Sequence, residues 1–172
     1  MKDLIENLQE FAKLDFPVHK VTSYLRQYQL NEKDKVKYCH FSEKNYTRNL
    51  VFRNNDFEIL FLCWGPEQIA PVHGHEGEKC WAKVESGKLQ FCNYNLISKK
   101  PLKLKSEKST IGEAGYLDGP AEIHSVENIF KENAISLHIY AKPYDACDIF
   151  NFNKGSIDRV NLRYHSKFGE LC

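Results

Sequence analysis

Two histidines one residue apart, His73-Gly74-His75, lie inside the stretch Trp64 to Gly87, with Cys80 shortly after them. On extended backbone the two-residue side-chain period points both imidazoles to one face of a strand, with only a glycine between them, and forms a two-toothed metal clamp. The same spacing also suits an exposed loop pair that binds nothing. His124 starts an apolar run between Ile123 and Val126, where a lone histidine usually serves as a hydrogen-bonded structural residue. In Ala134 to Ala141 the alternation is strict: Ile135, Leu137 and Ile139 share one face, and Ser136, His138 and Tyr140 share the other. A polar face flanked by apolar residues suits the wall of a cavity, although an exposed outer face fits the same pattern. Arg48, two residues after Tyr46, carries a fork that can hold a carboxylate through two parallel hydrogen bonds, or is an ordinary surface arginine. Cys80 on its own reads as a small buried hydrophobe.

The elements that must position these residues follow from the apolar pattern. Leu4, Leu8 and Phe11 with Ile5 and Ala12 recur at helical spacing, and after Pro17 a second stripe follows in Val21, Leu25 and Tyr28 with Tyr24. Beyond the charged run Asn31 to Lys37 the chain changes to short segments rich in β-branched and aromatic residues. The pattern predicts strands at Asn49 to Arg53, Phe57 to Trp64, Cys80 to Val84, Leu89 to Tyr94, Ile123 to Val126, Ala134 to Ala141 and Arg159 to Tyr164. Turn residues separate them at Asn54 to Asp56, Ser86-Gly87, Lys99 to Pro101, Gly112 to Gly115, Asp118 to Pro120 and Lys131 to Asn133. Strands at this spacing with no helical pattern between them predict a mainly β fold, an antiparallel sandwich or small barrel. The expected organisation is one domain over residues 1–172, with a helical segment at 1–37 packed on a barrel at 38–172.

Composition narrows the partners. With 24 basic and 23 acidic residues the net charge is +1, so nothing in the balance points to nucleic acid, an acidic polymer or a membrane surface. Acidic residues interrupt the apolar positions of the first segment, and no stretch approaches the ~20 apolar residues of a membrane span. Export is not indicated. The 6 cysteines are scattered at 39, 63, 80, 92, 147 and 172 without a CxxC pair, which suits reduced thiols in the cytoplasm. A monomer acting on small molecules is expected.

The spacing of His73, His75, Cys80 and Gly87 resembles the first motif of cupin barrels, with Cys80 where many cupins carry a glutamate ligand. His124 and Asn128 resemble the second motif, preceded by Asp118-Gly119-Pro120 as a loose counterpart of its proline-glycine element. The fold implied is a double-stranded β-helix, or small jelly roll, with short N-terminal helices. Cupins support many chemistries, so this alone leaves function open. The narrower resemblance is to thiol dioxygenases of the cysteine dioxygenase type I family. Six ordered segments from Tyr46 to Gly169 carry it: YTRNL, LCWG, HGH with Cys80, HSVEN, SLHIY and YHSKFG.

This resemblance implies that His73, His75 and His124 bind Fe(2+) as a three-histidine face. All three ligands would be neutral, so the metal keeps its charge and favours an anionic sulfur ligand from the substrate. Zinc suits the same donors. The resemblance further implies that Arg48 and Tyr46 hold the carboxylate of L-cysteine, with Leu62, Trp64 and Leu162 walling the pocket. Tyr140, Cys80, His138 and Ser136 are the implied catalytic set, and Cys80 and Tyr140 are joined by a thioether in animal members. Relatives that oxidise 3-mercaptopropionate typically carry glutamine in place of Arg48 and lack Cys80. The implied reaction adds both atoms of O2 to cysteine sulfur and gives cysteinesulfinic acid. Another small thiol, such as 3-mercaptopropionate or cysteamine, and a non-catalytic metal-binding cupin are the competing readings.

Overall fold

Leu4 and Leu8 are fully buried on one side of helix α1 (Lys2–Ala12), and Val21 and Leu25 on one side of α2 (Val18–Gln27). Pro17 separates the two, as its fixed φ and missing N–H predict. The computed structural model describes residues 1–172, except the side chain of Lys108. The charged run after α2 differs from expectation and forms a third helix, α3 (Glu32–Tyr38). Asn31 caps it by accepting a hydrogen bond from the Asp34 N–H at 2.9 Å, and acidic residues occupy its first turn. The charges had masked a short helix that buries only Tyr38.

Thirteen strands follow: β1 (Thr47–Arg53), β2 (Glu58–Trp64), β3 (Ile69–Gly74), β4 (Lys79–Ser86), β5 (Lys88–Lys99), β6 (Leu102–Glu113), β7 (Leu117–Asp118), β8 (Ile123–Glu127), β9 (Ala134–Ala141), β10 (Ala146–Asn151), β11 (Ser156–Asn161), β12 (Ser166–Lys167) and β13 (Glu170–Leu171). They form a seven-stranded sheet in the order β13-β12-β1-β2-β9-β4-β7 and a six-stranded sheet in the order β11-β10-β3-β8-β5-β6. Every neighbouring pair is antiparallel except β1 with β12. The six strands predicted between Asn49 and Ala141 are all present.

One predicted strand shifts, and several strands were not predicted. The last predicted strand lies at Ser156–Asn161, earlier than the expected Arg159 to Tyr164, because it must pair with β10, which was not expected at all. β3 and β6 were also missed. β6, on a long hairpin arm with β5, begins Leu-Lys-Leu-Lys but continues mostly with charged and small polar residues, so its apolar face is too short for pattern reading. The turn between those two arms falls at the expected Lys100-Pro101.

The seven-stranded sheet is covered on both faces, which explains why β2 and β9 are buried along their whole length. Ile135, Leu137 and Ile139 of β9 pack with Ile59, Phe61, Trp81 and the helical Leu4, Leu8, Val21 and Leu25. Across the sheet, Leu60, Leu62, Trp64, Ala82 and Tyr140 pack against Ala70, Leu89, Phe91 and Val126 of the other sheet. Polar contacts also tie the helices down: the Lys83 ammonium donates to the Tyr28 carbonyl, and Glu85 accepts from the Leu30 N–H at 3.1 Å. No helix is long and apolar enough to cross a membrane.

Gly87 makes the tight turn from β4 into β5 with φ +73°, and a Cβ there would lie 2.6 Å from the Asn133 carbonyl oxygen. Both the left-handed backbone and the close approach demand glycine. Gly87→Ala should therefore destabilise the protein by at least about 1–3 kcal/mol in urea unfolding. An unchanged midpoint would mean that this turn relaxes freely.

Candidate metal centre

The pairing of β3 with β8 places His73 directly opposite His124. His75 lies just past the end of β3, where its N–H donates to the Glu122 carbonyl at 3.0 Å and keeps the chain against the start of β8. The three rings converge, with centroids 5.0, 4.8 and 4.7 Å apart. One nitrogen from each lies within 4.8 Å of the others. His73 Nδ1 is 2.8 Å from the Pro71 carbonyl and His75 Nδ1 is 2.9 Å from the Ala121 carbonyl. Donation to a carbonyl fixes the proton on Nδ1 and leaves the Nε2 lone pair free. His124 Nδ1 faces Asp118 Oδ2 at 3.5 Å, the outer limit of a hydrogen bond.

These nitrogens fit a metal. His75 Nε2 and both ring nitrogens of His124 are buried without a hydrogen-bond partner among the described residues. An unsatisfied buried polar group costs roughly 1–3 kcal/mol, so converging orphans need a shared partner. Burial, and next the neighbouring His124, lower the His73 pKa to about 3. Burial followed by His124 and His73 also lowers His75 well below its ordinary value. Both imidazoles are therefore neutral near pH 7, the form that ligates. Burial works against ionising Asp118, but the contacts with His124, Asn93 and Tyr116 outweigh it and lower its pKa. The resulting carboxylate suits orientation of the His124 ring.

A cavity of about 110 Å³ lies beside the histidines. His73, Tyr46, Arg48, Leu62, Trp64, His138, Tyr140 and Leu162 all line it. At roughly 30 Å³ for one water, it admits only a small ligand. Tyr46 stacks on Trp64 with centroids 4.6 Å apart, which gives one flat wall. Arg48 is almost fully buried, yet the Tyr140, Tyr144, Glu58 and Tyr46 oxygens outweigh the effect of burial and raise its pKa, so its charge is kept. Behind it the carboxylate of Glu58 lies 3.5 Å from Nη2, a loose pair. Burial raises the Glu58 pKa despite Tyr164 and both arginines.

The polar face of β9 is an interior wall, as the alternation predicted, and forms one hydrogen-bonded row. Trp64 Nε1 donates to Ser136 Oγ at 2.9 Å, Ser136 Oγ meets His138 Nε2 at 2.8 Å, and His138 Nδ1 meets the Tyr140 hydroxyl at 3.2 Å. Burial first, then His124, His73 and Arg48, lowers the His138 pKa and keeps the ring neutral. When Ser136 donates to Nε2, the His138 N–H donates to the Tyr140 oxygen and frees the phenolic proton to point into the cavity. Cys80 stands directly opposite Tyr140 across the β4–β9 pair, which brings the two β-carbons to about 4.5–5.5 Å.

The chain matches the family model for cysteine dioxygenase type I over residues 1–153. It belongs to the cysteine dioxygenase type I family. Curated cysteine dioxygenase type 1 proteins are similar along nearly the full chain: that of Rattus norvegicus is 34% identical, with 98% of this chain and 88% of the relative covered. That of Homo sapiens is 31% identical over the same shares. Among solved structures, a Klebsiella pneumoniae protein with a double-stranded β-helix domain superposes with a TM-score of 0.52 at 18% identity, covering 78% of this chain and 97% of that one. A Thermus thermophilus protein gives 0.53 at 18% identity, covering 67% and 100%. These two likenesses show the shared fold, the cupin-type barrel that the motifs predicted.

In this cysteine dioxygenase family member the structure brings together the three histidines, the pocket residues and the polar row of β9 singled out from sequence, and adds others. Tyr144 and Cys147 line the cavity from the β9–β10 connection and β10. Tyr144 stands edge-on to Tyr140 with centroids 5.0 Å apart. Asp118 was read only as part of a turn and of the loose proline-glycine counterpart, and Glu58 was not singled out within its predicted strand. A carboxylate inside an otherwise apolar run, EILFLCW, was the signal available for Glu58. Tyr144 had no such mark, since it sits in a connection whose path depends on the whole barrel.

Removing one tooth should disable the centre. His124→Ala is expected to abolish stoichiometric metal binding, measured by elemental analysis after dialysis, and Asp118→Asn to weaken it by roughly 10–100-fold. Full metal content in His124→Ala would remove that residue from the ligand set.

Proposed function

We propose that this chain is a cysteine dioxygenase that converts L-cysteine and O2 to cysteinesulfinic acid at Fe(2+) held by His73, His75 and His124. The observation that carries the reading is a buried, charged Arg48 lining the same small cavity as His73. A guanidinium clamps a carboxylate, neutral imidazoles leave a cation its full charge, and the space between suits one short amino acid. Bound there, Fe(2+) supplies a Lewis-acidic site for a thiolate and redox chemistry toward dioxygen. The overall change balances without an added reductant: the thiol loses four electrons, and both oxygen atoms end on sulfur.

The chain's own residues supply orientation and exclusion. Arg48, helped by the Tyr46 hydroxyl, holds the carboxylate and so fixes where the sulfur points. The row from Trp64 through Ser136 and His138 fixes the Tyr140 hydroxyl as a preorganised donor toward the developing sulfinate or the carboxylate. Leu62, Trp64 and Leu162 keep the site dry and too narrow for bulky thiols. Arg48 and Cys80 favour cysteine over 3-mercaptopropionate, and Arg48 disfavours cysteamine, which has no carboxylate to clamp. The facing of Cys80 and Tyr140 supports a thioether formed by loss of the thiol hydrogen and one ring hydrogen to dioxygen.

The free state of all six cysteines supports a reducing, cytoplasmic setting.

Anaerobic loading with Fe(2+), followed by cysteine and isotopically labelled O2, is expected to give cysteinesulfinic acid with both labels, whereas Zn(2+) gives none. A tightly held metal with no oxygen uptake on any small thiol would make the protein a non-catalytic cupin. Arg48→Ala should lower kcat/KM for cysteine by roughly 10²-fold or more, since loss of one partner of a buried charge pair costs about 2–5 kcal/mol. After turnover, intact mass should show a fraction lighter by two hydrogens, absent in Tyr140→Phe.

A further inference from the structure

Behind Arg48, on the side away from the cavity, lies an ionic cluster that the proposed reaction does not use. Glu58 opens β2, is fully buried and does not line the cavity. Its Oε1 faces Arg48 Nη2 at 3.5 Å, and its Oε2 accepts a hydrogen bond from the Tyr164 hydroxyl at 2.6 Å. The Tyr164 oxygen in turn accepts from Arg53 Nη1 at 2.6 Å. Arg53 also grips Asp145 through two nitrogens at 2.6 and 3.1 Å. Asp145 directly follows the cavity residue Tyr144, so this row of charges runs from the rim of the protein to the back of the pocket.

Arg48 Nη2 and Glu58 Oε1 are both buried without a hydrogen-bond partner among the described residues. A carboxylate at this distance attracts the guanidinium without saturating it, so donors remain for an incoming anion. Two further contacts limit how the pair can move. The Arg48 guanidinium carbon lies 5.3 Å from the centre of the Tyr164 ring, and the same residue's hydroxyl fixes Glu58. Burial and then the Glu58 bond push the Tyr164 phenol up to about 12, so it remains a donor near neutral pH.

We propose that Glu58, fixed by the Tyr164 hydroxyl, is a positioning residue that holds the Arg48 guanidinium toward the cavity and thereby sets selectivity for thiols that carry a carboxylate. The inference rests on the reading of Arg48 as the carboxylate clamp. An arginine side chain has many rotamers, and an unpartnered one must be ordered by each substrate molecule that binds. Here the ordering is built into the resting protein. Glu58 also supplies the counter-charge that a buried guanidinium lacks while the cavity is free of substrate.

Tyr164→Phe removes one hydroxyl and little else, and is expected to raise KM for cysteine by about tenfold, in keeping with a hydrogen bond to a charged group, with the effect on KM rather than kcat. The inhibition constant of cysteamine should not change. Glu58→Leu should raise the cysteine KM further, and Glu58→Gln, which keeps an acceptor for Tyr164, should recover most of it. If Glu58→Leu does not fold, Tyr164→Phe and Glu58→Gln carry the test. A crystal structure of Tyr164→Phe is expected to show the Arg48 guanidinium turned from its place beside Glu58. Arg48→Ala separates the two ideas: an unchanged cysteine KM there defeats the clamp and this inference together. A raised KM in Arg48→Ala with no change in Tyr164→Phe and Glu58→Gln defeats the positioning role alone. Equal weakening of cysteine and cysteamine binding would also overturn it.

Discussion

Two cross-strand registers hold this molecule's site together. β3 against β8 sets His73 opposite His124, and β4 against β9 sets Cys80 opposite Tyr140. Because side chains alternate across a strand, a slip of one residue in either pair would turn one partner to the other face of its sheet. Burial of both faces of β9 makes such a slip costly. Its odd-numbered residues fill the layer under the helices, and its even-numbered ones fill the barrel.

The helices gain a role from the same constraint. They make no wall of the cavity, but they cover the outer face of the sheet that does. With Leu4, Leu8, Val21 and Leu25 packed on Trp81, Ile135, Leu137 and Ile139, β9 cannot rotate to expose its apolar side. Ser136, His138 and Tyr140 are thereby committed to the interior, where each needs a partner, and the row from Trp64 supplies them. Packing on one side of a sheet thus fixes the hydrogen-bonding of the other.

Charge is distributed with similar economy. Burial keeps His73, His75 and His138 neutral, and the Asp118 carboxylate stands behind His124. The opposite side keeps the Arg48 guanidinium with Glu58 behind it. In the proposed reaction a zwitterionic thiol would lie between, with its anionic end toward the arginine and its sulfur toward the histidines. Electrostatic complementarity of this kind orients a ligand as much as it attracts it.

The linear pattern was sufficient for the local features: helical stripes, the central strands, the two-faced β9 and a set of histidines and arginine in motif order. Those depend on side-chain periodicity and residue type, which the chain states directly. Pattern failed where apolar contrast was weak, as in β6, β10 and the capped helix α3, since polar or mixed elements are stabilised by the partners they pair with. Glu58, Asp118, Tyr144 and Cys147 became functional candidates only through the fold. A carboxylate behind an arginine or a phenol beside another phenol is a relation between segments far apart in sequence, and only closure of the two sheets brings them within contact.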